Sequence, residues 1–167
     1  NVITFTADEA VSVEPVFYKP GLHQKISSNL HLFYTRQKRN ASKILKIQDI
    51  ETSNKINVLR EMKNLVNPLR EVLASGEGLN KVGEILHKNW ELKRTLSHAT
   101  SSQKIDKYYF TALQAGALGG KLLGAGGGGF FLFYVEPKHQ KAVISALSDL
   151  YHLKVGVDSS GTRITYY

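Results

Sequence analysis

Chemistry is most legible in this sequence where glycine and lysine crowd together. Residues 116–129 read Gly-Ala-Leu-Gly-Gly-Lys-Leu-Leu-Gly-Ala-Gly-Gly-Gly-Gly, so eight of the chain's 14 glycines share one short stretch with Lys121. Glycine loses more conformational freedom on ordering than any other residue, so stability gives no reason for such a cluster. Its use is geometric: without a Cβ, backbone N–H groups can converge on an anionic oxygen or admit a second loop at close range. A flexible linker is the plainer alternative. Linkers, however, run between polar segments, whereas this stretch leads straight into Phe130-Phe131-Leu132-Phe133-Tyr134-Val135, an apolar run that must be buried.

Two further groups of residues have types suited to an anion. At 100° per residue, Leu79, Leu86, Trp90, Lys93 and Ser97 share one helical face with Asn89 at its margin, while Ile85, Leu92 and Leu96 lie opposite. Trp90 is then either a core residue with Lys93 reaching out to water, or a stacking surface for a sugar ring whose phosphate Lys93 neutralises. The second group is Arg36-Gln37-Lys38-Arg39-Asn40-Ala41-Ser42, which opens a helix. Cations there oppose the helix dipole, so the segment is either an exposed basic patch or a place for an anionic ligand.

Known phosphate loops can be tested against the glycines. A Walker loop needs a Ser or Thr after its lysine, and Leu122 follows Lys121. The dinucleotide fingerprint follows a strand and opens a helix, whereas here the order expected is helix, glycine loop, strand. Residues 119–128 instead resemble the third, C-terminal motif of the galactokinase, homoserine kinase, mevalonate kinase and phosphomevalonate kinase (GHMP) superfamily. That motif runs Gly-x-(Lys/Arg)-(Leu/Met)-(Ser/Thr)-Gly-Ala-Gly-Gly-Gly and is matched except at Leu123. Leu123, with the continuation into Gly129 and Phe130, is similar to the branch that phosphorylates D-glycero-D-manno-heptose 7-phosphate and related sugars. Asn89, Trp90 and Lys93 match an Asn-Trp-x-x-Lys pattern of that branch. Thr35, Arg39 and Ala41 match its Thr-Gly-x-x-Arg-x-Ala segment, with Arg36 in place of the usual glycine.

The resemblance implies an ATP-dependent sugar-phosphate kinase with ATP and Mg²⁺ as cofactors, and a C-terminal domain of ferredoxin-like α+β fold. Its loop, Gly119, Gly120, Lys121, Gly124, Ala125, Gly126, Gly127, Gly128 and Gly129, would wall the substrate cleft. Arg39, Asn89, Trp90 and Lys93 would contact the sugar phosphate. The superfamily's Pro-x-x-x-Gly-Leu-x-Ser-Ser nucleotide loop does not occur in this sequence. That loop, the acceptor-orienting acid and the Mg²⁺ ligands belong to an N-terminal domain, so no catalytic or metal-binding residue is assigned within this chain. Residues 1–18 are expected to be a hairpin leading in from that domain and 19–167 the C-terminal domain proper.

The elements that position these groups follow from periodicity. Val2–Thr6 and Val11–Tyr18 read as strands around a turn, and Leu30–Thr35 as a third. Ser53–Ala74 is helical with a break near Asn64–Asn67 caused by Pro68, and Gly76 ends it. Leu79–Ser97 and Thr100–Gly116 are helices, the latter capped by Thr100 with Gln103 or by Ser102 alone. Phe130–Val135 is a strand covered on both faces, Pro137–Leu150 a helix, and Leu153–Val157 with Thr162–Tyr167 a closing pair. Strands and helices in this order give an antiparallel sheet covered by helices.

Composition narrows the field less. The 167 residues, 42% hydrophobic and 22% charged, suit one domain with a proper core. No apolar run approaches the ~20 residues of a membrane span, and cysteine is absent, so a cytoplasmic protein without a membrane partner is expected. A formal charge of +8 favours anionic partners in general. A basic ferredoxin-like domain could also bind RNA on exposed aromatic rings, or serve as a small-ligand regulatory module. The sequence around Phe130–Phe133 lacks the RNA-binding strand pattern and reads as buried on both sides, so no nucleic-acid partner is expected.

Overall fold

The computed structural model describes residues 1–17, 19–38, 40–52, 54–156 and 166. In chain order the elements are β1 (Val2–Phe5), β2 (Val11–Glu14), α1 (Leu22–Asn29), β3 (Leu30–Tyr34), α2 (Ala41–Thr52), α3 (Ile56–Asn64), α4 (Val66–Ser75), α5 (Asn80–Leu96), α6 (Gln103–Gln114), β4 (Ala117–Leu122), β5 (Phe130–Val135), a 3₁₀ turn (Pro137–His139), α7 (Gln140–Ala146) and β6 (Tyr151–Lys154). β1 and β2 pair as an antiparallel hairpin of their own. The other four strands form one antiparallel sheet in the order β4-β5-β3-β6. Strand, helices, two strands, helix and strand in that spatial order make the ferredoxin-like arrangement expected of an α+β chain.

Local signals decide most boundaries. Pro68 cannot continue a helical ladder from upstream, and the chain breaks at Leu65 into α3 and α4. Gly76 ends α4 at φ 70°, its N–H donating to the Val72 carbonyl at 2.9 Å. Ser102 caps α6 alone, its hydroxyl accepting from Ile105 N. Thr100 is fully buried and does something else, described below. Where a single helix was expected over Pro137–Leu150, Pro137 starts a 3₁₀ turn and α7 ends at Ala146. The expected strand at Thr162–Tyr167, and the end of its partner at Val157, fall largely outside the described residues.

The glycine stretch is the main correction. Its first half is not loop but strand β4, and Gly119, Gly120 and Lys121 lie within it. Glycine is normally depleted from strands, because it packs nothing and loses entropy. Here the missing side chain is the point. A Cβ on Gly119 would sit 2.1 Å from the Gly83 carbonyl oxygen and 2.7 Å from His87 Cβ, so α5 rests its backbone directly on β4. A Cβ on Gly83 would in turn meet Leu118 Cβ at 2.7 Å. Gly120 is equally confined by β5: a Cβ there would lie 2.4 Å from the Leu132 carbonyl oxygen and 2.5 Å from the Phe133 ring.

Two apolar clusters sit around this contact. The larger joins Trp90, Ile105, Tyr109 and Leu122 to Phe131, Phe133 and Val135 of β5 and to Val143, Leu147 and Leu150. The smaller sets Tyr134 against Val72 and Val82, with Leu69, Leu86 and Leu118 beside them. α5 therefore has β4 on one side and α3 and α4 on another, which accounts for its two apolar faces. At the far edge, β6 docks on β3 partly through a histidine pair: His31 Nδ1 and His152 Nε2 are 2.9 Å apart with stacked rings.

Substituting Gly119→Ala is expected to lower unfolding free energy by about 2–3 kcal/mol, read from urea titration, because backbone must move to admit the methyl group. The histidine pair sets a pH dependence. Burial, reinforced by the neighbouring His152, lowers the pKa of His31, and burial followed by the Lys154 charge lowers that of His152, both from an unperturbed 6.5. The folded state thus binds these protons less readily than the unfolded one. Their contribution is complete above pH 6.5 and is lost as pH falls below it. The urea midpoint is expected to fall between pH 7 and 5.5, and the double variant His31→Phe/His152→Phe to lose most of that decline.

Candidate functional site

What remains of the glycine stretch as loop is residues 123–129, between β4 and β5. Gly124, Gly126, Gly127 and Gly129 have φ of 76°, 109°, 70° and 99°, a left-handed path that side chains with a Cβ resist. Two of its glycines allow close seating: a Cβ on Gly126 would lie 2.7 Å from the Thr100 carbonyl oxygen, and one on Gly128 2.5 Å from that of Gln37. Gly124 and Gly129 face open space.

The loop is braced from four directions. Gly127 N–H donates to the Thr100 carbonyl at 2.8 Å. Gln48 of α2 donates from Nε2 to Thr100 Oγ1 at 3.0 Å and to the Ala125 carbonyl at 3.2 Å. Thr35, at the end of β3, donates from its hydroxyl to the Gly129 carbonyl at 2.9 Å and accepts from Gly129 N–H at 3.0 Å. Lys93 of α5 donates from Nζ to the Gly124 carbonyl. Among the described residues, the N–H groups of Gly124, Ala125, Gly126 and Gly128 have no protein acceptor. Consecutive backbone donors on a left-handed path form the kind of concavity that holds an anionic oxygen.

Next to this loop stand two lysines. Lys121 points from β4 to α5, where its Nζ donates to Asn89 Oδ1 at 2.8 Å. Asn89 and Lys93 are one helical turn apart, so the direct seating of α5 on β4 brings both ammonium groups together. Burial, and then the charge of Lys121, lowers the pKa of Lys93 to about 8; burial also lowers that of Lys121. Among the described residues neither lysine has a carboxylate partner. Two half-buried like charges without a counter-charge are unfavourable alone and are relieved by an anion.

The other expected contacts fare differently. Trp90 is fully buried, edge-on to Phe131 at 6.2 Å between ring centroids and tilted against Tyr109 at 5.9 Å. Of its two readings, the structure gives the core one, since an indole with no exposed surface cannot stack on a ligand. Arg39 lies outside the described residues. Arg36, where the resemblance has glycine, keeps the left-handed conformation at φ 56°, which costs a residue with a Cβ about 1 kcal/mol. Periodicity did not single out Gln48 or Thr100 as loop supports, because a polar residue on a helix or in a turn usually faces water.

The family model described as GHMP kinases C terminal matches residues 69–153. A D-glycero-alpha-D-manno-heptose 7-phosphate kinase of Campylobacter jejuni is 27% identical over 155 residues, which is 88% of this chain and 44% of that protein. A mevalonate kinase of Pyrococcus horikoshii is 35% identical over 94 residues, 54% of this chain and 27% of that protein. The crystal structure of L. major mevalonate kinase in complex with R-mevalonate superimposes with a TM-score of 0.67 at 18% identity, covering 89% of this chain and 47% of that one. The chain thus spans less than half the length of these proteins.

Thr35→Val is expected to release the loop locally: amide hydrogen exchange at Gly127 and Gly129, whose N–H groups are hydrogen-bonded, should rise at least about fivefold, for a loss of about 1–2 kcal/mol. Exchange at Phe131 and Phe133 should stay unchanged, and Thr35→Ser should restore protection.

Proposed function

From the premise that this chain belongs to the family of GHMP kinase C-terminal domains, we propose that it forms one wall of the active site of an ATP-dependent kinase acting on a sugar phosphate. D-glycero-D-manno-heptose 7-phosphate is the substrate we favour, transfer running from the ATP γ-phosphate to a sugar hydroxyl. One observation carries this reading: Lys93 and Lys121 present two half-buried cations that, among the described residues, have no carboxylate partner, beside a braced loop whose N–H groups at Gly124, Ala125, Gly126 and Gly128 have no acceptor there. A phosphorylated acceptor supplies the missing charge, which a neutral acceptor would not. The relative named as a heptose 7-phosphate kinase supports the choice, as does the Asn89-Trp90-x-x-Lys93 pattern.

In this reading Lys93 and Lys121 bind the acceptor's phosphate, Asn89 orients Lys121, and Trp90 fixes the angle of α5 from within the core. Phosphoryl transfer depends on positioning and charge neutralisation, and this chain provides part of each. The loop's backbone donors suit phosphate oxygens of either substrate. Mg²⁺ fits less well, since among the described residues no three His, Asp or Glu side chains converge. We assign the metal ligands, the acceptor-orienting acid and the nucleotide loop to a further domain, so the chain alone is expected to be inactive.

An RNA-binding role finds little support, because Phe131, Phe133 and Tyr134 of β5 are fully buried and offer no ring to a base. No helix among the described residues is long and apolar enough to cross a membrane.

The test is kinetic, in the protein that combines this chain with its nucleotide-binding domain. Lys93→Met and Lys121→Met are each expected to raise KM for the sugar phosphate about 10- to 100-fold, the range for losing a charge-assisted hydrogen bond. Lys93 is charged below its pKa, so acceptor affinity should fall as pH rises through about 8. Failure to phosphorylate heptose 7-phosphate or any other sugar phosphate with ATP and Mg²⁺ would refute the proposal.

A further inference from the structure

Lys93 combines three properties that suit a reactive amine as well as an anion site. It is partly exposed, its Nζ is held by the Gly124 carbonyl, and among the described residues the charge that acts on it is another cation, Lys121. A lysine flanked by a second cation in a partly desolvated place is the usual way to obtain a nucleophilic amine. Four residues before it on α5, Asn89 holds the Lys121 ammonium at 2.8 Å, so a phosphate-sized anion has a dock beside the amine.

We propose that Lys93 is a site of covalent acylation by small acyl phosphates, with the donor's phosphate docked on Lys121 and the acyl carbon presented to Lys93 Nζ. The neutral amine nitrogen attacks the acyl carbon, and the C–N bond forms as the bond from that carbon to the bridging oxygen breaks. Inorganic phosphate leaves with that electron pair, and the extra proton on nitrogen passes to solvent. The product amide keeps one N–H for the Gly124 carbonyl but has lost its charge, which removes half of the cation pair.

A supply of neutral amine supports the step. With its pKa near 8, about a quarter of Lys93 is uncharged at pH 7.5, against about a thousandth of an unperturbed lysine. The lower basicity offsets part of that gain, so a net advantage of about tenfold is expected. The modification does not depend on the kinase reading. Its effect on acceptor affinity does, and the two are measured separately.

The experiment is acetylation of the purified chain by acetyl phosphate at pH 7.5, followed by peptide mass spectrometry. Initial rates at Lys93 are compared with those at the exposed Lys63 and Lys141. Lys93 is expected to react more than about tenfold faster, the excess over the amine's own advantage coming from docking, with the rate rising towards a plateau above pH 8. Inorganic phosphate should slow Lys93 and leave Lys63 unaffected, and the preference should shrink several-fold with acetic anhydride, which has no phosphate. Lys121→Met should cut the preference several-fold, to about that seen with acetic anhydride, and Lys121→Arg keep it, circular dichroism confirming the fold. Should Lys121→Met unfold, phosphate competition and Lys121→Arg decide the matter. A Lys93 rate equal to that of Lys63 would overturn the site, and an equal preference with both donors would overturn the docking.

Discussion

α5 and β4 touch backbone to backbone, and almost everything of functional interest depends on that contact. Gly83 and Gly119 have no Cβ, so the helix sits against the strand closer than any pair of side chains would permit. This closeness brings Lys121 within reach of Asn89 and sets Lys93, one turn further on, against the Gly124 carbonyl. It also drives Trp90 into the core between Tyr109 and Phe131, where its bulk holds the helix at one rotation. A helix displaced outward by one methyl group would draw Lys93 from the Gly124 carbonyl and Asn89 from Lys121.

The charge arrangement runs against what stability alone would select. Folding places Lys93 and Lys121 partly out of water and near one another, and burial depresses the pKa of both. Arg94, further along α5, is held instead between Glu91 and Asp106 at 3.0 Å each. Among the described residues Lys93 and Lys121 have no such acid beside the loop's backbone donors, and this contrast is what supports the proposed anion site.

Much of the fold was legible beforehand, because its signals are local. Pro68 announces the α3–α4 break, Gly76 the end of α4, and the unbroken apolar run of β5 a strand covered twice. The family motif located the loop. It did not reveal β4, since Gly119 and Gly120 look like loop residues until one knows which backbone they must admit. Helical periodicity put Trp90 and Lys93 on one face without saying how deep that face lies, and depth is what separates a stacking ring from a core residue. The supports of the loop were harder still. Thr35 belonged to a recognisable segment, whereas Gln48 acts across 77 positions on Ala125, a contact that only tertiary structure creates.

The loop's attachment to Thr35 has a mechanical consequence. β3 is an inner strand, paired with β5 on one side and β6 on the other, so anything fastened to its end inherits the stiffness of the whole sheet. Such a loop is an anvil and not a flap. If the proposed active site is right, any gating movement over a substrate has to come from the opposing wall, this one being tied to the sheet.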